Sequence, residues 1–433
     1  MKILMTNERA WDKSNSFGST YDNIFSEINN LEFFFVRRSF SGKDYLENCH
    51  IYQITERSLL QNIFNKKIPS GHEVKKNENK YVDRNDIENK IFNFSRVLRF
   101  QIFFWARDYI WKIGRWKTED LDRFIKESKA DLIFQPIGEK SYANDMINYI
   151  KLETGLPMIG YISDDCYTLN QFSLSPLYWI NRIIVRRKVK RSIEQCSLLY
   201  VVSDMQKREY EKIFNVKCKV LTKSVDFSRL KYHKTNLGNK TKLFYAGIIN
   251  KGRLESLAII SNAVKQLNEE GFDITLNINT QSPITSRMIR LLNISNCCIL
   301  GSTLSSLEVL EMQKKSNVLL HVEGLSLKER KTVRLSFSTK LVDYFSLGKA
   351  IFAFGPEEVA SIDHLMVHNA AQVATSRSEV YPQLKQLVTD IEYRDSLGRR
   401  AFECGQRNHS KSNMRDMLLK DMLYVIECRN KKS

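Results

Sequence analysis

The feature that most constrains the fold of this chain is an alternation, kept from one end to the other, of short apolar runs with segments of helical periodicity. Because a helix between two such runs returns the chain for parallel pairing, the alternation predicts βα units and parallel sheets. The predicted strands of the first half are Lys2–Met5, Glu32–Val36, Asp131–Gln135, Met158–Ile162, Leu198–Val202 and Lys219–Thr222. The pattern restarts at Leu243. The expected fold class is therefore α/β, with two doubly wound Rossmann-like domains facing across a cleft that holds the ligand site.

A polar, basic stretch separates the two halves. Residues 227–242 include Asn236-Leu237-Gly238-Asn239-Lys240 and have little to bury, which predicts a linker. We expect an N-terminal acceptor-side domain over 1–226, the linker over 227–242, a second domain over 243–405 and a helical segment over 406–433. The pattern from Gln383 to Arg429 is mostly helical, and this segment has room to pack back across the domain boundary.

The sequence offers no apolar run long enough to cross a membrane and no metal-binding cysteine pattern. The N-terminus turns polar too early for a signal-peptide core. Eight cysteines without C-x-x-C spacing indicate free thiols in a reducing compartment. The closest histidine pair, His364 and His368, lacks an intervening Glu and a third ligand, so both are expected to be ordinary helix residues. We expect a cytoplasmic protein without structural zinc.

A strand that ends in a glycine turn and leads into a basic helix start lies at 243–253. Gly247 closes the apolar run, and Arg253 opens the next helical pattern. A helix start offers unpaired N–H groups to a phosphate, so the segment suits a diphosphate, although turns of this kind without a ligand are about as common. In a Walker A comparison, Arg253 and Leu254 replace the Lys and Ser/Thr of the motif. This difference disfavours a magnesium-dependent NTPase.

A second candidate segment begins a helix near residue 338. Ser338 suits the N-cap, and Gly348 ends the helix before a buried strand. Because this helix starts at the carboxyl end of a strand, its first turn can face a phosphate, and the acidic residue one turn later can accept hydrogen bonds from ribose hydroxyls. The residues placed to do so are Ser338, Thr339, Lys340 and Asp343. A capped helix start exposed to solvent is the alternative.

Together the two segments resemble the C-terminal half of GT-B glycosyltransferases of the family 4 type. The shared features are the glycine-ended strand with a basic residue after it and, further on, the helix start with an acidic inner residue and a Gly-x-x-Ile turn. The likeness extends from Leu243 through Leu365 and includes His321-Val322-Glu323 and Gly355–Ile362. Over this range the chain is similar to bacterial capsular and surface polysaccharide glycosyltransferases.

The resemblance implies roles for individual residues. Arg253 would hold the donor diphosphate, and Asp343, at the second glutamate of the family's E-x7-E pattern, would hold the ribose. Leu335 stands at the first glutamate, which in the family touches the transferred sugar, and Ile248 stands where an arginine usually follows the glycine. We expect Lys340 to supply the second phosphate cation in its place. The resemblance also implies retention of anomeric configuration, no metal and no cofactor besides the nucleotide-sugar donor.

Acceptor-side candidates follow strands of the first half. Gly18 lies in a loop after the first strand, where donor and acceptor meet in the family. Asp164 and Asp165 follow Met158–Ile162 and are expected to point into the same cleft, as an acceptor-hydroxyl contact, a loop cap or, least favoured, a metal pair. Glu139 is a weaker candidate for this rim.

Positive charge and aromatic residues coincide in two stretches. The chain carries 67 Lys and Arg against 49 Asp and Glu, a net charge of +18, which predicts attraction to a polyanion. Arg96–Lys117 and Leu177–Gln195 both interleave basic and apolar residues, as amphipathic helices at an anionic membrane surface do. Core helices with a solvated basic face are the alternative. A nucleic-acid role is disfavoured because no zinc knuckle, RNP-like motif or helix-turn-helix is present.

The function expected from the sequence is transfer of a sugar from a nucleotide-diphosphate donor to a lipid-linked oligosaccharide, in bacterial surface polysaccharide synthesis at the inner face of the cytoplasmic membrane. A non-catalytic GT-B scaffold, suggested by Leu335, and a nucleotide-sugar epimerase are the alternatives.

Overall fold

The structure, a computed structural model, describes residues 1–7, 11, 16–26, 28–38, 49–74, 101–234, 240–250, 252–294 and 297–431. Residues 96–100 of the first basic stretch, 235–239 of the expected linker and 432–433 of the expected C-terminal segment lie outside these ranges.

The first half of the chain forms an eight-stranded sheet. Its strands are β1 (Lys2–Asn7), β2 (Glu32–Arg37), β3 (Cys49–Ile54), β4 (Gly71–Glu73), β5 (Leu132–Pro136), β6 (Met158–Ile162), β7 (Leu198–Val201) and β8 (Cys218–Val220). The strand order is β4-β3-β2-β1-β5-β6-β7-β8, and only the β3–β4 pair is antiparallel. The order reverses between β1 and β5, as in a doubly wound sheet.

Helices cover both faces of this sheet. They are α1 (Ser16–Phe25), α2 (Glu56–Phe64), α3 (Gln101–Ile113), α4 (Glu119–Ser128), α5 (Ser141–Thr154), α6 (Pro176–Glu194) and α7 (Asp204–Ile213). Their starts follow local signals: Thr118, Ser175 and Ser203 cap α4, α6 and α7 by accepting a hydrogen bond from a backbone N–H of the first turn.

The second half forms a six-stranded sheet in which every pair is parallel. Its strands are β9 (Thr241–Ala246), β10 (Ile274–Asn279), β11 (Cys298–Gly301), β12 (Val318–Val322), β13 (Ala350–Phe354) and β14 (Gln372–Ala374). The order β11-β10-β9-β12-β13-β14 is that of a dinucleotide-binding Rossmann sheet, with its reversal between β9 and β12. The predicted pair of doubly wound sheets is confirmed.

Nine helices accompany this sheet or follow it within the part of the chain that the structure describes. They are α8 (Arg253–Glu269), α9 (Ser286–Leu292), α10 (Ser306–Lys314), α11 (Leu327–Val333), α12 (Lys340–Leu347), α13 (Ala360–Val367), α14 (Arg377–Thr389), α15 (Ile391–Asn408) and α16 (Lys411–Asn430). Gly348 ends α12 in the left-handed conformation, φ 60°, as its position in the sequence predicts.

The last helix belongs to the core of the first sheet. Leu418, Met422 and Val425 of α16 are buried in the same apolar cluster as Ile3 and Met5 of β1. The hydroxyl of Tyr200 donates a 2.6 Å hydrogen bond to Asp421 on this helix. The C-terminal segment therefore packs against the first sheet. No helix within the described ranges combines the length and apolar character that crossing a bilayer requires.

Candidate active site

The candidate site lies where the strand order of the second sheet reverses. Gly247 follows β9 and Glu323 follows β12, so both stand at the carboxyl ends of the two strands that flank the crevice. A Cβ atom at position 247 would lie 2.7 Å from Lys340 Nζ and 3.2 Å from the Tyr245 hydroxyl. A larger residue at position 247 would therefore displace the Lys340 ammonium group from its place beside this turn.

Lys340 points back over the end of β9. Its Nζ donates a 3.1 Å hydrogen bond to the Ala246 carbonyl and lies 4.8 Å from the centre of the Tyr245 ring. Burial and the nearby charge of Arg253 lower the pKa of Lys340 to about 8, while Glu323 acts in the opposite direction. Neither the carbonyl nor the ring carries a full negative charge, so neither neutralises Lys340. Its positive charge therefore remains available to an anion.

Arg253, the first residue of α8, is fixed by the end of β12. Its Nε donates to the Val322 carbonyl at 3.1 Å, and Nη2 lies 3.0 Å from a Glu323 carboxylate oxygen. The Glu323 side chain is 3% exposed and that of Arg253 18%. The sequence analysis assigns Glu323 no role beyond its place in the resemblance, although its position directly after a buried strand is a usable signal.

His321 completes the cluster beneath these charges. Its Nε2 lies 3.4 Å from the second oxygen of Glu323, yet neither ring nitrogen has a hydrogen-bond partner among the described residues. Burial, then Lys340 and Arg253, hold the pKa of His321 well below its usual range. The ring is neutral at pH 7, so the net charge of the cluster formed by Arg253, Lys340, Glu323 and His321 is +1.

The start of α12 differs from the prediction. Thr339, not Ser338, occupies the N-cap, in a helical conformation and without a side-chain cap hydrogen bond. The Ser338 N–H donates to the Ser361 hydroxyl at 2.9 Å, which turns the chain before the helix. Ser338 is therefore held by the first turn of α13, and the exposed Thr339 side chain stands at the start of α12.

Asp343, the candidate ribose acceptor, has a lysine partner. Lys223, in the segment that leaves β8, lies with its Nζ 2.6 Å from an Asp343 oxygen. Both side chains are partly exposed, 33% for Lys223 and 41% for Asp343. The sequence did not predict this pair, which joins the exit of the first sheet to the candidate donor site.

The adjacent aspartates after β6 have separate environments. Asp165 turns inward: it accepts hydrogen bonds from the backbone and hydroxyl of Thr168 and lies 3.5 Å from the buried Arg182. Of the three alternatives for this residue, the geometry is that of a loop cap. Asp164 is exposed and accepts a 2.8 Å hydrogen bond from the Ser336 hydroxyl of the second half. The two carboxylates do not form a metal pair.

The other acceptor-side candidates are placed differently from expectation. Gly18 is buried in the first turn of α1, so it lies in a helix where a loop was expected. Glu139 accepts a 2.6 Å hydrogen bond from Arg182 and thereby supports the Asp165 loop. Asn7, at the carboxyl end of β1, is buried, and its side-chain amide has no hydrogen-bond partner within the described ranges. A buried amide in this state is suited to a ligand.

The position of Leu335, where the resembling family has a glutamate, is apolar and buried in this chain. Its side chain is 1% exposed and belongs to the apolar cluster of the first sheet, although it follows α11 of the second half. The neighbouring Arg334 makes a two-pronged ion pair with Glu209 of α7, at 2.7 Å and 2.9 Å. This position is therefore an apolar contact between the two halves of the chain.

Comparisons with known proteins identify the fold. The chain matches no protein-family profile and no curated protein by sequence. Among solved structures it is similar over 98% of its length to HepE of Anabaena in complex with UDP-glucose, with a TM-score of 0.60 at 10% identity over 100% of that chain. It is also similar to sucrose-phosphate synthase of Thermosynechococcus elongatus, with a TM-score of 0.59 at 9% identity and 98% of both chains covered.

A third similar structure is the UDP-forming α,α-trehalose-phosphate synthase of Burkholderia vietnamiensis, with a TM-score of 0.59, 11% identity and coverage of 98% of this chain and 99% of that one. These structures are GT-B glycosyltransferases. The chain therefore has the GT-B fold, as the sequence predicts.

Proposed function

We propose that this protein is a glycosyltransferase that uses a nucleotide-diphosphate sugar as donor. The observation that carries the proposal is the pair of cations Lys340 and Arg253 at the switch point of the second sheet, where Glu323 is the one carboxylate beside them among the described residues. Two neighbouring cations in a partly buried crevice repel each other, and a bound diphosphate removes that repulsion.

The similar structures support the choice of ligand. HepE has been solved with UDP and with UDP-glucose, and the Burkholderia enzyme is described as UDP-forming. Gly247 opens the approach to Lys340, and Thr339 and Lys340 begin α12 beside it. We assign the diphosphate to Lys340, Arg253 and the backbone around Gly247, Ser338 and Thr339.

The proposed chemistry is stabilisation of the departing diphosphate. As the sugar–oxygen bond breaks, negative charge builds on the leaving phosphate. The two cations stabilise this charge, and they need not move to do so because they are already held in place. The positive charge comes from side chains, so no metal and no further cofactor is assigned to this step. Asp343 and its partner Lys223 are the candidates for holding the ribose.

The acceptor side is assigned to the first half of the chain. Asp164 is exposed and accepts a hydrogen bond from Ser336 of the second half, and the buried Asn7 amide at the end of β1 has no partner among the residues that the structure describes. These groups suit the hydroxyls of a saccharide acceptor, because carboxylates and amides both bond sugar hydroxyls. We propose that Asp164 and Asn7 orient the acceptor.

A lipid-linked acceptor is proposed from the surface of α6. This helix and the loop before it expose apolar side chains beside basic ones: Leu174, Leu177, Ile180, Ile183, Ile184, Arg187, Lys190 and Arg191. Trp105 of α3 donates a 3.0 Å hydrogen bond to Asn181, so the two basic stretches are neighbours. Exposed apolar residues flanked by cations suit an anionic bilayer surface. We propose peripheral association at the inner face of the cytoplasmic membrane and a role in bacterial surface polysaccharide synthesis.

A panel experiment tests the function. The purified protein is mixed with single nucleotide sugars and a membrane lipid extract, and products are followed by mass spectrometry. We expect sugar transfer to lipid with one donor, and its loss in Lys340→Met but not in the control Lys265→Ala, which changes an exposed lysine on α8. Donor conversion without an acceptor would instead indicate an epimerase. Donor binding without turnover would indicate the scaffold that Leu335 suggests.

A further inference from the structure

A cluster of potential metal ligands lies outside the candidate active site, where α7 of the first half meets α13 of the second. Asp204, His364 and His368 each offer one ligand atom, and the three atoms lie within 4.8 Å of one another. Asp204 is the first residue of α7, while the two histidines stand one helical turn apart on and just after α13. The sequence shows only the histidine pair, because the third residue comes from a distant segment.

The imidazole of His364 is oriented by further groups. Its Nε2 lies 3.3 Å from Nε2 of His409, whose Nδ1 is 3.0 Å from the Thr222 hydroxyl. When one nitrogen of a histidine is held in this way, the other is fixed as a ligand.

Access and the nature of the donors select the type of ion. A cavity of about 330 Å³ borders the cluster and is large enough for an ion with a bound water. Its lining includes Asp204, His364 and His409, and also the basic residues Lys207, Lys219 and Arg407. Two imidazoles and one carboxylate suit zinc or a similar transition metal, whereas Mg²⁺ and Ca²⁺ take oxygen ligands. Ligand atoms around tetrahedral zinc lie roughly 3.3 Å apart, so small rotations of the exposed Asp204 and partly buried His368 side chains complete the site.

We propose that Asp204, His364 and His368 bind one Zn²⁺ ion that ties the two halves of the chain together. The ligands belong to both halves, so the free energy of metal binding stabilises their contact. The ion pair between Arg208 and Asp363, at 3.0 Å, joins the same two helices. The proposal does not depend on the proposed transferase activity, because none of the three ligands is assigned to the donor or the acceptor.

The test is zinc binding to the full chain after removal of metals by a chelating resin. Competition with a chromophoric zinc indicator is expected to give one site per chain with a dissociation constant of about 1 μM or below, a rise in Tm with zinc, and no response to Mg²⁺. His368→Ala and Asp204→Asn are each expected to weaken binding by about 100-fold or more. The matched control is His233→Ala, which removes an exposed histidine from the segment between the sheets and is expected to bind like the wild type.

The variants are chosen to keep the fold. Ser203, not Asp204, caps α7, so Asp204→Asn leaves the helix start intact, and circular dichroism checks both proteins. Hydrogen exchange then tests the bridge: zinc is expected to slow exchange in both 204–213 and 360–368. Unchanged affinity in the two variants, binding weaker than about 100 μM in the wild type, or protection of 360–368 alone would each overturn the proposal.

Discussion

The hydroxyl of Ser203, at the start of α7, donates a 3.0 Å hydrogen bond to the backbone carbonyl of Leu335. This bond holds the segment after α11 against the first sheet, with the Leu335 side chain buried in that sheet's core cluster. The position at which the resembling family has a sugar-contacting glutamate is thus part of the contact between the two halves.

Shortening Leu335 is expected to destabilise the protein. Leu335→Ala should lower the free energy of unfolding by about 2 to 4 kcal/mol, because it removes buried methyl groups and leaves a cavity. Leu335→Glu should cost more, since it places a carboxylate in an apolar cluster. Urea unfolding measures both, with Leu307→Ala as the control because Leu307 is 76% exposed. A Leu335→Glu protein as stable as the wild type would show that the side chain faces the cleft instead.

The two candidate phosphate cations are expected to affect turnover alike and stability differently. Arg253→Ala and Lys340→Met should each lower turnover by about 100-fold or more, as the loss of one charge-stabilising group does elsewhere. Arg253→Ala should also cost about 3 to 5 kcal/mol of stability, because Glu323 is then buried without its cation. Lys340→Met removes a partly buried cation and should leave the Tm equal or higher. Adding Glu323→Gln to Arg253→Ala should recover the Tm but not the activity.

Nucleotide affinity is expected to depend on pH through Lys340. The pKa of Lys340 is about 8 in the unliganded protein, and a bound diphosphate raises it by adding negative charge nearby. Binding should therefore take up protons near pH 8, and affinity should fall as the pH rises through that value. Calorimetric titration with UDP in two buffers of different ionisation enthalpy measures the uptake. Lys340→Met should bind UDP more weakly and without proton uptake. Equal proton uptake in both proteins would contradict the assignment.

Association with anionic vesicles is expected to require the exposed face of α6. Changing Arg187, Lys190 and Arg191 to Gln should weaken binding, and salt should do the same in the wild type because screening shortens to about 10 Å at 0.1 M. The control changes Lys265, Lys314 and Lys315 to Gln, which removes the same charge from exposed positions outside α6. Sedimentation with anionic and neutral vesicles, beside a nucleic-acid shift assay, decides the case. Retardation of nucleic acid without vesicle binding would refute the membrane assignment.

Donor binding is expected to need no divalent cation. The cluster around Lys340 and Arg253 supplies positive charge, and Asp164 and Asp165 face different surroundings. Calorimetry should give the same UDP affinity in EDTA as in Mg²⁺ or Mn²⁺. Binding that appears only with Mg²⁺ would require carboxylate ligands in the crevice.

Local patterns in the sequence predicted many of the strands and helices. The helix stop at Gly348 and the buried strand after it, found at Ala350–Phe354, were predicted because apolar runs and a left-handed glycine act over a few residues. The strand β3, Cys49–Ile54, was missed, since its partly buried positions mix polar and apolar side chains, and its pairing with β2 decides its conformation.

The sequence by itself determined that two doubly wound sheets form and that Gly247, Arg253 and Lys340 stand at strand ends and helix starts, because backbone periodicity and turn chemistry are local. Only the tertiary structure decided how side chains are paired across the chain. Arg253 with Glu323, Asp343 with Lys223, and Asp204 with His364 each depend on how sheets and helices dock. Leu335 shows the reason most directly: its burial comes from the other half of the chain, which no local pattern around residue 335 contains.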